Sequence, residues 1–105
     1  MSRQQQLTQL AAQVLGAARA QDWPAVQQAD RALAHELPQL AALGPWTGAE
    51  LEALERLGTA HAMARGLCRE ASDALQQQIT QLREGHDGWL AYALQDNAAP
   101  LEARP

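Results

Sequence analysis

The sequence predicts an all-α fold, and three observations carry that expectation. Ala, Leu and Gln supply 23, 16 and 14 of the 105 residues, against two Val, one Ile, four Thr, one Tyr and no Phe. The abundant types favour helices and the scarce ones favour strands. Apolar residues also recur three and four apart through each long segment, the period of a single buried helical stripe. Short clusters of Asp, Gly and Pro with helix-cap chemistry separate these segments. At this length one domain is expected, over residues 1–97, with a flexible tail at 98–105.

The first helix is expected from about Ser2 to Gln21, burying Leu7, Leu10, Ala11, Val14, Leu15 and Ala18. Asp22-Trp23-Pro24 then opens a second helix: Asp22 can cap free backbone N–H groups, and Pro24 sits in the first turn, where no N–H is needed. Its stripe is Trp23, Val26, Ala29 or Asp30, Leu33, Leu37 and Leu40, reaching about Leu43. Pro38 cannot donate to the Ala34 carbonyl, which predicts a kink, or a break and restart, near His35 to Leu37. An inward Asp30 would require a partner such as Arg19 or Arg56, and Ala29 is the simpler inward residue.

Gly44-Pro45-Trp46 ends the second helix, and Thr47-Gly48-Ala49-Glu50 spells a capping box for the third. That helix is expected from Gly48 to about Glu84, with a seam of Leu54, Leu57, His61, Ala64, Cys68, Ala71, Leu75 and Leu82. Gly85 and Gly88 bracket an expected break at His86-Asp87. Asp87 would cap a short fourth helix holding Trp89, Leu90, Tyr92, Ala93 and Leu94, with Asn97 as its stop. Trp23 and Trp46 would staple the two ends of the second helix. The architecture expected is an elongated antiparallel three-helix bundle with a long third helix plus a short C-terminal helix.

All eight basic residues are Arg, and twelve carboxylates bring the formal charge to −4. A mildly acidic surface with dispersed Arg argues against nucleic acid and anionic lipid and favours protein partners. A single cysteine, Cys68, forms neither an intramolecular disulfide nor a thiolate cluster, which fits a reducing compartment. No apolar run approaches the roughly 20 residues of a membrane span, and the polar start Met1-Ser2-Arg3-Gln4-Gln5-Gln6 lacks a signal-peptide core. A cytoplasmic location without membrane insertion is therefore expected.

Nothing in the sequence predicts catalysis, a metal or a cofactor. His35, His61 and His86 lack the i, i+4 partnering of a helical metal site. His61 and Cys68 stand about 10 Å apart by helical rise, too far for a nucleophile pair. Cys68 reads as a small buried hydrophobe. The segment His61-Ala62-Met63-Ala64-Arg65-Gly66 loosely resembles the His-x-x-Lys-Gly of histidine phosphotransfer domains, where an exposed histidine accepts phosphate. Here the Arg and Gly come one residue late and His61 falls on the apolar seam. The plainer expectation for His61 is a partly buried side chain hydrogen-bonded across the bundle.

The lengths are unequal. The first two helices have about 20 residues each, whereas the third has about 37 and would span roughly 55 Å. Its second half would overshoot its neighbours, carrying Leu67, Ala71, Leu75, Ile79 and Leu82 as an apolar stripe of the kind that soluble monomers rarely leave bare. The covers open to it are a second copy of the chain as a homodimer, the C-terminal segment folding back, or a client protein. The expectation is a client groove between the second and third helices, floored by those five residues and covered by a movable fourth helix.

A family resemblance bears on the client. A first helix, the lead-in Gln21-Asp22-Trp23 to a second, a short turn, a very long Leu- and Gln-rich third helix and the late Leu90-Ala91-Tyr92-Ala93 together resemble the FliT family of flagellar export chaperones. The likeness covers roughly residues 5 to 95. It implies a cytoplasmic type III export chaperone that binds the filament cap protein FliD. Such a chaperone shields the client's terminal segment and passes it to the export gate protein FlhA and the export ATPase. Enterobacterial members also restrain the regulator FlhDC. A tyrosine near the C-terminal helix matters for gate docking in that family, and Tyr92 is the matching position, followed here by Ala93 rather than the frequent Gly. Two alternatives stand beside it: a histidine phosphotransfer module using His61, and a sister chaperone for hook–filament junction proteins.

Overall fold

The computed structural model describes the backbone of residues 1–103 and the side chains of residues 1–95. It is all-α, with α1 at Arg3–Arg19, α2 at Trp23–Ala41 and α3 at Gly48–Ala103. The chain divides into two compact units, Met1–Glu70 and Ala71–Pro105.

In the first unit, α1 begins with a capping box that the sequence reading passed over. Ser2 Oγ accepts from the Gln5 N–H at 3.1 Å, and the Ser2 N–H donates to Gln5 Oε1 at 2.9 Å. The helix ends two residues earlier than expected. The Gln21 N–H donates to the Ala18 carbonyl and the Asp22 N–H to the Ala17 carbonyl, a Schellman closure with Gln21 at φ 58°. A side chain in that left-handed region is strained by roughly 1–2 kcal/mol. Gln21→Gly is therefore expected to raise stability by about 1 kcal/mol, measured as a shift in the urea midpoint at unchanged slope. Asp22 then caps α2, its Oδ1 accepting from the Ala25 N–H at 3.2 Å.

Pro38 lies inside α2 without breaking it. The expected restart near His35 is absent because proline removes only one hydrogen bond, and Leu37 and Leu40 on either side still pack inward. The helix stops at Ala41, and Gly44 supplies the positive φ, 127°, that the following turn needs. Thr47 and Glu50 form the predicted box: Glu50 N–H to Thr47 Oγ1 at 3.2 Å and Thr47 N–H to Glu50 Oε1 at 2.8 Å.

Two apolar clusters hold these elements together. Leu7 and Leu10 of α1 meet Leu40 of α2 and Ala53 and Leu57 of α3, with Trp46 packed beside them. Val14 and Ala18 meet Val26, Ala60 and Ala64, with Trp23, Ala29, Leu67 and Cys68 around them. The start of α1 thus lies against the end of α2 and the start of α3, so α2 runs antiparallel to both. Ala29 takes the inward position and Asp30 stays exposed. The buried phase of α3 in this unit is Glu50, Ala53, Leu57, Ala60 and Ala64, while Leu54, His61 and Cys68 flank it, half-buried.

In the second unit α3 runs on through Gly85 and Gly88, and the predicted break and separate fourth helix are absent. Each glycine weakens a helix by about 1 kcal/mol relative to Ala, yet stops it only where the backbone turns left-handed, and neither residue does so. The expected stop at Asn97 lies within α3, and of the tail expected at 98–105, residues 98–103 belong to the helix. Arg104 and Pro105 lie outside the described residues.

Candidate functional site

Three places in the molecule assemble chemistry. The first joins the ends of the three helices of the first unit. Arg3 Nη2–H donates to Glu50 Oε1 at 2.7 Å and Nε–H donates to Oε2, a two-point ion pair across 47 positions of sequence. Its remaining donors reach the carbonyls of Leu40 (2.9 Å), Gly44 (2.9 Å) and Pro45 (2.7 Å), and the guanidinium carbon stands 4.2 Å from the centroid of the Trp46 ring. All five guanidinium N–H groups are thereby used. Chiefly through the Arg3 hydrogen bond, and next through the Thr47 N–H, the Glu50 carboxyl is held down at about 2, and Glu50 in turn raises the Arg3 pKa. These contacts tie the end of α2 and the turn after it to the starts of α1 and α3. Sequence reading missed them because Arg3 sits in a polar run and Glu50 was fully accounted for as a helix cap.

The second place is the outer face between α2 and α3 within the first unit. His61 Nε2–H donates to Asp30 Oδ1 at 2.9 Å, joining the two helices. The histidine is thus hydrogen-bonded across the bundle, and Asp30 has His61 as its partner rather than Arg19 or Arg56. The bond engages Nε2 of the ring. Beside the pair runs a groove of about 580 Å³ lined by Asp30, Leu33, Ala34, Leu37, Pro38, Ala41 and His61. A second hollow shares Asp30 and His61 and is otherwise lined by Val14, Val26, Ala64, Arg65 and Cys68. Among the described residues no group of three or more His, Cys, Asp or Glu could hold a metal ion.

The third place is the helix of the second unit. Leu75, Ile79, Leu82, His86, Trp89 and Ala93 follow one another four and three residues apart, so they share one helical face. Leu75 is 57% exposed, Leu82 72% and Trp89 65%, and the His86 and Trp89 rings lie 6.5 Å apart, tilted. Tyr92 is 70% exposed on the flank of this face.

The five residues expected to floor a single groove are divided between the units. Leu67 packs against the Val14 cluster of the first, Ala71 is half-buried, and Leu75, Ile79 and Leu82 are exposed in the second. The movable fourth helix expected to cover them does not exist as a separate element, since residues 85–95 continue α3. Of the residues lining the hollow between α2 and α3, Asp30, Leu33, Leu37 and His61 stand on the stripes expected from sequence, whereas Ala34, Pro38 and Ala41 lie beside that stripe and were not singled out. No helix among the described residues is long and apolar enough to cross a membrane. Comparison of the chain with protein-family models, with curated proteins and with solved structures finds no match in any of the three.

Proposed function

We propose that this chain is a non-catalytic type III export chaperone of the FliT kind, which binds the filament cap protein FliD in the cytoplasm and delivers it to the export gate. The observation that carries the reading is the exposed apolar face formed by Leu75, Ile79, Leu82 and Trp89. Apolar side chains repeated over about four turns of one helix gain stability only when something covers them, and an amphipathic partner segment is a fitting cover. The formal charge of −4 suits a protein that binds other proteins rather than nucleic acid. FlhA and the export ATPase are the receiving partners in this reading, and FlhDC is a further one.

Calorimetric titration of the full chain with purified FliD tests it. A saturable complex with FliD and none with the hook–filament junction proteins is the expected result. Binding to the junction proteins alone would make the chain their chaperone, and binding to neither would overturn the reading. Tyr92 is assigned to gate docking by its match to the tyrosine of the FliT family, and its 70% exposure leaves the ring available as an anchor. Tyr92→Ala is expected to leave FliD affinity unchanged and to weaken FlhA binding about tenfold. Equal FlhA affinities for parent and variant would remove that assignment.

A further inference from the structure

The exposed face of the second unit is apolar with one exception. In the line Leu75, Ile79, Leu82, His86, Trp89 and Ala93, the one side chain that changes charge near neutral pH is His86. It stands one turn from Leu82 on one side and from Trp89 on the other, so a partner surface that covers both residues must pass over the imidazole. In the free chain the ring meets water: its side chain is 67% exposed, and it lies tilted beside the Trp89 ring. Two charged groups neighbour it, both on α3. Asp87 Oδ1, 3.8 Å from Nδ1, attracts a charged ring, and Arg83, three residues earlier on the helix, repels one. The Asp87 side chain is 81% exposed, so its pull is screened by solvent. Among the described residues the second unit holds α3 alone, and no other element there brings a charge to the ring.

We propose that His86 makes the client face proton-sensitive: the face accepts an apolar partner segment while the imidazole is neutral and rejects it when the imidazole is charged. The proposal rests on the reading of this face as the FliD site and adds a regulation to it. Covering the ring takes it out of water, and that penalises the charged form far more than the neutral one. A bound client therefore holds the ring neutral, and a ring charged in the free chain gives up its proton to solvent as the client docks. By linkage, affinity is full where the free imidazole is already neutral. It falls, by up to about tenfold per pH unit, once the pH is low enough for the free ring to take up a proton.

Calorimetric titration of the full chain with FliD at about pH 7.5 and about pH 5.5, on either side of the ordinary imidazole range, tests it. The parent is expected to bind about tenfold more weakly at the lower pH, where about one proton is released per complex, read from the dependence of the binding enthalpy on the buffer. His86→Leu, which keeps the face apolar and uncharged, should bind with the same affinity at both pH values. His86→Arg, whose charge is fixed, should bind weakly at both. The far-UV spectra of chain and client should not change between the two conditions. Equal parent affinities at the two pH values would overturn the proposal, as would undiminished binding by His86→Arg. So would a loss on acidification that His86→Leu shares, since FliD's own groups would then be its source. In each of these cases the parent still binds FliD at about pH 7.5 and the chaperone reading stands. Absence of binding at both pH values overturns that reading and the proton switch with it.

Discussion

Arg3→Met lowers the thermal midpoint more than any substitution of an exposed residue. The change leaves the Glu50 carboxylate without its two-point partner and strips the carbonyls of Leu40, Gly44 and Pro45 of a shared donor at one stroke. Those carbonyls belong to the end of α2 and the turn after it, where helical partners run out and a side-chain donor matters most. Glu50→Gln has a smaller effect, because Arg3 keeps the three carbonyls and the Trp46 ring. In the double variant the two losses sum to less than their separate values, since both remove the same ion pair.

The same contact sets an acid dependence whose sign follows from the Glu50 carboxyl, lowered from 4.5 to about 2. The unfolded chain takes up the proton first, so acidification draws the equilibrium towards it. The contribution of the pair is fully present above about pH 4.5 and is lost as the pH falls towards 2. The stability gap between parent and Glu50→Gln should therefore close across that window in thermal melts. A gap that persists unchanged to pH 2 would show that the ion pair is not what the substitution removes.

On the proposed chaperone reading, Leu75→Glu combined with Leu82→Glu is expected to abolish FliD binding, with a loss of about a hundredfold or more. Both leucines are exposed, at 57% and 72%, so a carboxylate there meets water in the free chain and costs the fold little. In a complex the same two carboxylates would be buried against apolar client surface without partners, which is strongly unfavourable. Far-UV helicity and the thermal midpoint should match the parent while the calorimetric signal disappears. Undiminished binding would place the client elsewhere, and a collapse of helicity would mean that the two leucines support the fold.

Most of the first unit could be read from local signals. Leu7, Leu10, Val14 and Ala18 announce their burial by spacing alone, and Asp22 and the Thr47–Glu50 box cap helices with groups only three residues away. Such features are decided within one or two turns of chain, where backbone geometry leaves few choices. The helix boundaries were less legible, and for a physical reason in each case. Gln21 ends α1 in a conformation that favours glycine, so no residue type advertised it. Gly85 and Gly88, which did advertise a stop, are absorbed into α3 at a modest propensity cost.

By itself, then, the sequence determined that this protein is helical, where its three helices begin, and which side of α1 faces inward, because propensity, capping and period act over a few residues. Only the tertiary structure decided what meets across long separations. It brought Arg3 to Glu50 and to the end of α2, His61 to Asp30, and the plain stripe from Asp30 to Ala41 into one wall of a groove. The bonds from Arg3 to the Glu50 carboxylate and the Leu40 carbonyl, and from His61 to Asp30, join groups 31 or more positions apart, with no periodic pattern linking them. They follow from how the three helices of the first unit pack, which composition and spacing constrain but do not specify.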